Sequence, residues 1–414
     1  MKNISFILFF FLVFATRFTA SAMTNEVGAN SRYKTIRAAI EAAQPGDTIL
    51  VYKGIYAEKE LIINKSIVIK GIDNPVLDGE NKYEIITVRA DHVTVEGLSF
   101  RNAGFSSLTE IAAVKLDNCK YAFIHANDME VSCFGVYVQA SAGCIIKDNV
   151  LHSTGKGELT SGDGIHCWKS DSLQIIHNSI SSFRDGIYLE FVKNSVIWRN
   201  TSEHNIRYGL HFMTAHDNAY ICNVFRANGA GVAVMYTHGV KMYNNLFTEN
   251  TGDAAFGLLL KEISDSEISG NQFVNNTSGA YMEASTRVLV EHNVFKGNGW
   301  ALKVQANCDA VNVVHNNFSG NSFDISTSGT LVMNTFNSNY WDKYQGYDLN
   351  KDKIGDVPYR PVSMYSMLVE KNPTVMMLFR SFIVTLMDKT EKVLPGIIPE
   401  NLVDNSPLMK PLPL

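Results

Sequence analysis

The chain has 414 residues, 46% hydrophobic and 19% charged, and Lys+Arg 36 against Asp+Glu 41 leaves a formal charge of −5. Apolar content at this level excludes global disorder, and the charge balance gives no nucleic-acid footprint. Six cysteines without a CxxC exclude a disulfide framework in a chain this long. Read from its start, Met1–Lys2 is charged, Ile4–Phe14 is an apolar run and Ala20-Ser21-Ala22 supplies a small-residue cleavage pattern. Residues 1–22 therefore read as a secretory signal peptide, since Arg17 breaks the run before the ~20 apolar residues of a membrane anchor. The mature chain is then exported, starting near Met23. Tyr33–Gln44 places Ile36 and Ile40 on one face and predicts a helix that caps the open end of a strand-rich repeat region.

Two prolines, Pro45 and Pro75, precede residue 76; none lies from 76 to 357, and eight lie from Pro358 onward. Within the gap, Asn recurs at 127, 149, 178, 200, 223, 245, 271, 293 and 316, mostly 22 or 23 residues apart. Fourteen residues before seven of these stands a glycine: Gly135, Gly164, Gly186, Gly209, Gly231, Gly257 and Gly279. A fixed period with occasional insertions marks a repeat architecture. The residues one and three after each glycine are apolar, from Val136/Val138 through Ile187/Leu189 to Ala280/Met282, and this alternation buries one face of a strand. Three residues before each Asn is a further inward position (Ile124, Ile146, Ile175), and two after it the last five repeats carry Phe225, Phe247, Phe273, Phe295 and Phe318. Like residues at one register stack when coils lie ~4.8 Å apart. The pattern predicts an all-β, right-handed parallel β-helix over residues 23–340, with Ile67–Ile69 and Val93–Val95 among its first coils. Proline is absent because each inner strand donates to its neighbours. Cys144 and Cys167 fall at core positions and read as small buried hydrophobes.

The same register fixes the outer face. Two residues after the glycine stand Tyr137, His166, Tyr188, His211, Ala233, Leu259 and Tyr281; four after it stand Gln139, Trp168, Glu190, Met213, Met235, Lys261 and Glu283. Seven after it come His216 and His238, and Arg184 and Arg207 share another register. Adjacent coils should thus set Met213 beside Met235 and His216 beside His238, with His211 two residues from Met213. Outward thioethers with imidazoles suit Cu(I). The competing reading makes the methionines gap-fillers under a docked segment and His216 and His238 solvated turn residues. Tyr137, His166, Tyr188, Glu190 and His211 also keep open a polysaccharide-modifying enzyme, a lyase, epimerase or hydrolase.

Residues 341–414 form an acidic loop and a tail. Asp348, Asn350, Asp352 and Asp356 alternate as Ca²⁺ ligands do, although Lys353 and Tyr359 stand where an EF-hand loop carries Gly and Glu. The alternative is an Asx-rich turn packed on the last coil by Trp341, Tyr344 and Tyr347. Thr374–Lys392 predicts an amphipathic helix, with Val375, Leu378, Phe379, Phe382, Ile383, Leu386 and Met387 at helical spacing. It suits a groove or a membrane interface better than a span, or a cap folded back on the solenoid.

RDGIY at 184–188, RYGLHFM at 207–213, GVAVMYT at 231–237, GLLLKEISDSEI at 257–268, NSFD at 321–324 and NYWDKYQGYDLNKDKIGDVPYRP at 339–361 occur in one order, with SPLMKP at 406–411 closing the tail. The ordered set closely resembles the NosD family of periplasmic maturation factors for nitrous oxide reductase, across essentially the whole mature chain. In that family the acidic loop usually reads D-x-[ND]-x-D-G, and Lys353 departs from it. The resemblance implies a β-helix that is an accessory protein and not an enzyme. It would work with an ABC-type ATPase and a membrane permease, and take Cu(I) from a copper chaperone lipoprotein for the copper centres of the reductase. It also favours residues 374–392 as the contact with the permease at the inner membrane. Met213, Met235, His211, His216 and His238 fall inside or beside matching motifs, and their copper role rests on the outward ladder.

Overall fold

The computed structural model describes residues 22–106, 108–329, 333–379, 381–393 and 402–414; the expected signal peptide, Ala22 aside, lies outside them. The described chain winds as a right-handed parallel β-helix of about 14 turns. Three parallel sheets of 14, 13 and 12 strands run its length. Each coil passes from the 12-stranded to the 14-stranded to the 13-stranded sheet, as in Phe134–Gln139, Ile145–Lys147 and Val150–Ser153. The solenoid begins at Thr24–Val27, two coils before the first ones evident in the sequence. Helix α1 (Ile36–Ala42), N-capped by Thr35, buries Ile36, Ala39 and Ile40 against the first coils.

The repeat is steric in origin. A Cβ on Gly135 would stand 2.6 Å from the carbonyl oxygen of Gly164, and one on Gly209 would stand 2.7 Å from that of Gly231. The column of glycines therefore lets successive coils approach closely at the entry to the 12-stranded sheet. Before the ladder asparagines the chain turns through a left-handed residue, as at Asp148 (φ 53°), His177 (φ 54°) and Arg199 (φ 55°). Each Asn then binds the next coil: Asn149 Oδ1 accepts from Asn127 N and Nδ2, both at 3.0 Å. The predicted ladder, Asn127 to Asn316, continues one rung further to Asn339 and is fully buried. A second ladder, not singled out in the sequence, runs through Asn205, Asn228, Asn250, Asn276, Asn298 and Asn321 at the return to the 12-stranded sheet. These buried amides satisfy turn donors that would otherwise be orphaned.

Inside, the expected phenylalanines stack, with Phe247, Phe273 and Phe295 at successive centroid distances of 4.7 Å. The stack ends on Trp341, 4.2 Å from Phe318. Met242 is buried, as its inward register requires.

The tail differs from the single predicted helix. Met364–Lys371 forms helix α2, capped by Ser363, which the sequence pattern did not reveal. Thr374–Lys392 splits into a 3₁₀ turn over Pro373–Leu378 and helix α3 (Phe382–Val393). The non-helical backbone at Phe379 (φ −53°, ψ 131°) interrupts the predicted helix. Tyr365, Val369 and Val384 bury themselves against Trp300 and Phe323, and Glu370 pairs with Lys303 at 2.9 Å. Residues 402–414 then return to the last coil, with Asp404 beside Phe336 and Leu408 beside Tyr340. Among the described residues no helix is long and apolar enough to cross a membrane.

Candidate functional site

The outward residues of the 12-stranded sheet fall in the register the glycines imply. Tyr137, His166, Tyr188, His211 and Ala233 are consecutive partners, as are Gln139, Trp168, Glu190, Met213 and Met235. The first column is more covered than its outward direction suggests: His166 and His211 are only 7% and 4% exposed. Aromatic rings pack against one another along it. His166 meets Phe134, Tyr137 and Tyr188, while Tyr188 stacks on His211 at 4.5 Å and Tyr208 tilts against it.

Two buried carboxylates orient these imidazoles. Asp163 Oδ2 lies 2.9 Å from His166 Nδ1, and Asp185 Oδ2 lies 3.3 Å from His211 Nδ1. Arg184 donates to both oxygens of Asp163, and Arg207 sits near Asp185 and Glu158 at 3.9 and 3.7 Å. Arg184 and Arg207 thus serve carboxylates. Burial would raise the Asp163 carboxyl, but the His166 hydrogen bond and the Arg184 charge outweigh it and hold it below its usual range. Burial, then the neighbouring carboxylates, push Tyr137 and Tyr188 up to about 12, so both stay neutral phenols. Asp163 and Asp185 were not among the residues expected here. The signal was present: each immediately precedes a glycine of the repeat, on consecutive coils.

A carboxylate on Nδ1 selects the tautomer with Nδ1–H and leaves Nε2 bare. His211 Nε2 is buried and has no hydrogen-bond partner among the described residues. Such an atom is a ligand position looking for an acid. Met213 and Met235 are register partners on adjacent strands and half-buried, with Met213 two residues from His211 on the same outward face.

His216 and His238 do stack, at 4.1 Å and 11°. The backbone N–H of His238 donates to His216 Nδ1 at 3.3 Å, which puts the His216 proton on Nε2. Burial, then the charge of His238, push His216 below its ordinary value. In this geometry His211 presents a free lone pair and His216 does not. Among the described residues no group of three or more His, Cys, Asp or Glu is arranged to hold a metal, so a soft-metal site here draws on the thioethers.

The acidic loop gathers Asp348, Asn350, Asp352 and Asp356 into one turn, with Lys351 and Lys353 at φ 62° and 74°. Asp348 accepts from the amides of Asp352 and Lys353, Asn350 from Asp352, Asp352 from Ile354, and Asp356 from Leu349. The loop's own amides occupy these oxygens, as in a stack of Asx turns.

Residues 151–346 match the family described as periplasmic copper-binding protein (NosD). A probable ABC transporter binding protein NosD of Pseudomonas aeruginosa is 26% identical over 81% of this chain and 82% of its own length. Its counterpart from Stutzerimonas stutzeri is 27% identical over 81% and 80%. Among solved structures, a family 28 exopolygalacturonase of Yersinia enterocolitica (TM-score 0.52, 10% identity, covering 75% of this chain and 79% of that one) shares the fold. So does the A-module of the mannuronan C-5 epimerase AlgE6 of Azotobacter vinelandii (TM-score 0.50, 14% identity, 73% and 87%). The matched residues include the whole ladder from His166 to Met235: this chain is a parallel β-helix whose residues 151–346 are similar to the NosD family.

Proposed function

We propose that this chain is a periplasmic accessory protein that handles Cu(I) with an ABC transporter during maturation of nitrous oxide reductase. The observation that carries the reading is the bare, buried Nε2 of His211 on the same strand face as Met213, whose register partner on the next coil is Met235. One imidazole and two thioethers form a soft, neutral donor set that favours Cu(I) over harder ions. The names of the matched family and relatives support both the copper and the transporter. In this reading Cu(I) is cargo, received from a copper chaperone lipoprotein and passed toward the reductase. Transporter docking falls to the tail, where Met377, Phe382, Ile383 and Leu386 are 89%, 83%, 51% and 51% exposed. An apolar surface of that kind marks a protein or membrane-interface contact.

Titrating the reduced mature protein with Cu(I) against a competing chelator tests the site. Loss of affinity in His211→Ala and in Met213→Ala, Met235→Ala is expected; unchanged affinity in both overturns it. For the tail, Phe382→Asp with Ile383→Asp should abolish co-purification with the ATPase and permease. A second reading rests on the two Asp–His pairs flanking Tyr188, which could serve acid–base chemistry on a polysaccharide. Turnover of uronate polymers, lost in Tyr188→Phe, would favour that enzyme over the copper scaffold.

A further inference from the structure

Five of the six cysteines are buried and Cys222 is exposed. Two of the buried ones meet across successive coils. Cys144 Sγ lies 3.8 Å from the Cys119 carbonyl oxygen and 3.6 Å from that of Ala142, and Cys119 Sγ lies 3.7 Å from Ser141 Oγ. Lys120 pairs with Ala142 and Phe123 with Ile145, which sets Cys119 beside Ser141 and Cys144 beside Ala122, at the two ends of one turn between the 12- and 14-stranded sheets on successive coils. The other thiols have different surroundings. Cys133 Sγ contacts the Phe134 carbonyl at 3.4 Å, and Cys167 is enclosed in the core.

We propose that Cys119 and Cys144 close to a disulfide that staples two successive coils, 25 residues apart in sequence. One thiolate attacks the disulfide of an oxidant, such as oxidised glutathione or a thiol–disulfide oxidoreductase, and forms a mixed disulfide. The second thiol displaces the oxidant's sulfur. The chain loses two protons and two electrons, and the oxidant leaves as two thiols. Both sulfurs are buried in the finished solenoid, so the exchange takes place while the coils are still closing. The bond constrains the unfolded chain. In a copper carrier, a consequence that rests on the proposed copper function, it also removes two thiolates that would outcompete thioethers for Cu(I).

The test uses the full chain and is independent of copper. The protein is reduced, unfolded, refolded with oxidised glutathione and alkylated without reductant, then weighed intact and mapped by peptides. Loss of two hydrogens, a single Cys119–Cys144 cross-link and a melting temperature several degrees above that of the reduced protein are expected. Six alkylated thiols, glutathione adducts at both positions or a link elsewhere would overturn the proposal. The Cys119→Ser, Cys144→Ser variant should melt with the reduced protein. The oxidised and reduced wild-type chains already make the comparison if that variant fails to fold.

Discussion

Asp404 gives the sharpest test of how the solenoid is closed. It occupies the rung above Asn339 in the first ladder, is fully buried, and comes from the chain's last dozen residues. Its Oδ2 accepts from Asn339 N, Asn339 Nδ2 and Trp341 Nε1 at 3.0, 3.1 and 3.0 Å. Its Oδ1 accepts from Ser338 N and Ser406 N at 3.0 and 3.1 Å. Asp404→Ala strands donors on a coil where Asn339 and Trp341 are essentially buried. Each buried donor left unpaired costs about 1–3 kcal/mol, and water reaching the opened end recovers part of it. A net loss of about 3–5 kcal/mol is therefore expected, concentrated at the last coil. Asp404→Asn should cost roughly half as much, because one oxygen still serves Asn339 while the new amide faces two N–H donors. Hydrogen exchange at Ser338 and Asn339, with limited proteolysis of residues 402–414, reads the effect directly. If those amides exchange as slowly in Asp404→Ala as in the native chain, the tail is not what closes the ladder.

Gly209→Ala drives a Cβ to 2.7 Å from the Gly231 carbonyl oxygen and should cost about 1–3 kcal/mol by denaturant unfolding. Asp163→Asn leaves a buried histidine and a half-buried arginine without their carboxylate and should cost about 3–5 kcal/mol near neutral pH. Because the folded carboxyl lies below its usual range, its contribution is complete above pH about 4 and fades as pH falls further. Melting curves of the native chain and Asp163→Asn should thus converge in acid. Asp185→Asn can present an N–H to His211 Nδ1 and move the imidazole proton to Nε2. Cu(I) affinity should then fall about 10- to 100-fold by chelator competition while the far-UV spectrum is unchanged.

Much of this structure is legible because a β-helix repeats one environment. Gly135 to Gly279 mark close approach, Asn127 to Asn316 mark one turn, and the pairs Met213/Met235 and His216/His238 follow by counting. Burial of the outer column was not legible. His211 faces outward by register, yet Tyr188 and Tyr208 cover it, and those contacts depend on side-chain tilt between columns and not on period. The second ladder, Asn205 to Asn321, trails the first by five residues and starts three coils later, so its shorter run is masked by the longer one. The tail escaped for another reason. Asp404 acts through contacts 65 residues back in the chain, which no local pattern encodes.

The arm and the candidate copper site share one surface. Glu370 of α2 reaches Lys303, which continues the outward column of Tyr137, His166, Tyr188 and His211, so α2 lies on the outer face of the 12-stranded sheet. Four strand steps separate Val232–Met235 from Phe323–Ser326 along that sheet. At ~4.8 Å each, that is roughly 19 Å, within the reach of one small domain. Helix α2 is anchored by Tyr365 and Val369, α3 by Val384, and the chain beyond by Asp404. The exposed Phe382 and Ile383 are therefore carried on a helix anchored to the solenoid through Val384. A partner gripping them would be held at the end of the sheet that carries the Met213–Met235 rungs, and a second partner on those rungs would share that face with it. A scaffold that passes a soft ion between two proteins needs that arrangement: a stiff face that sets both partners' distance while the ligands themselves remain half-covered thioethers.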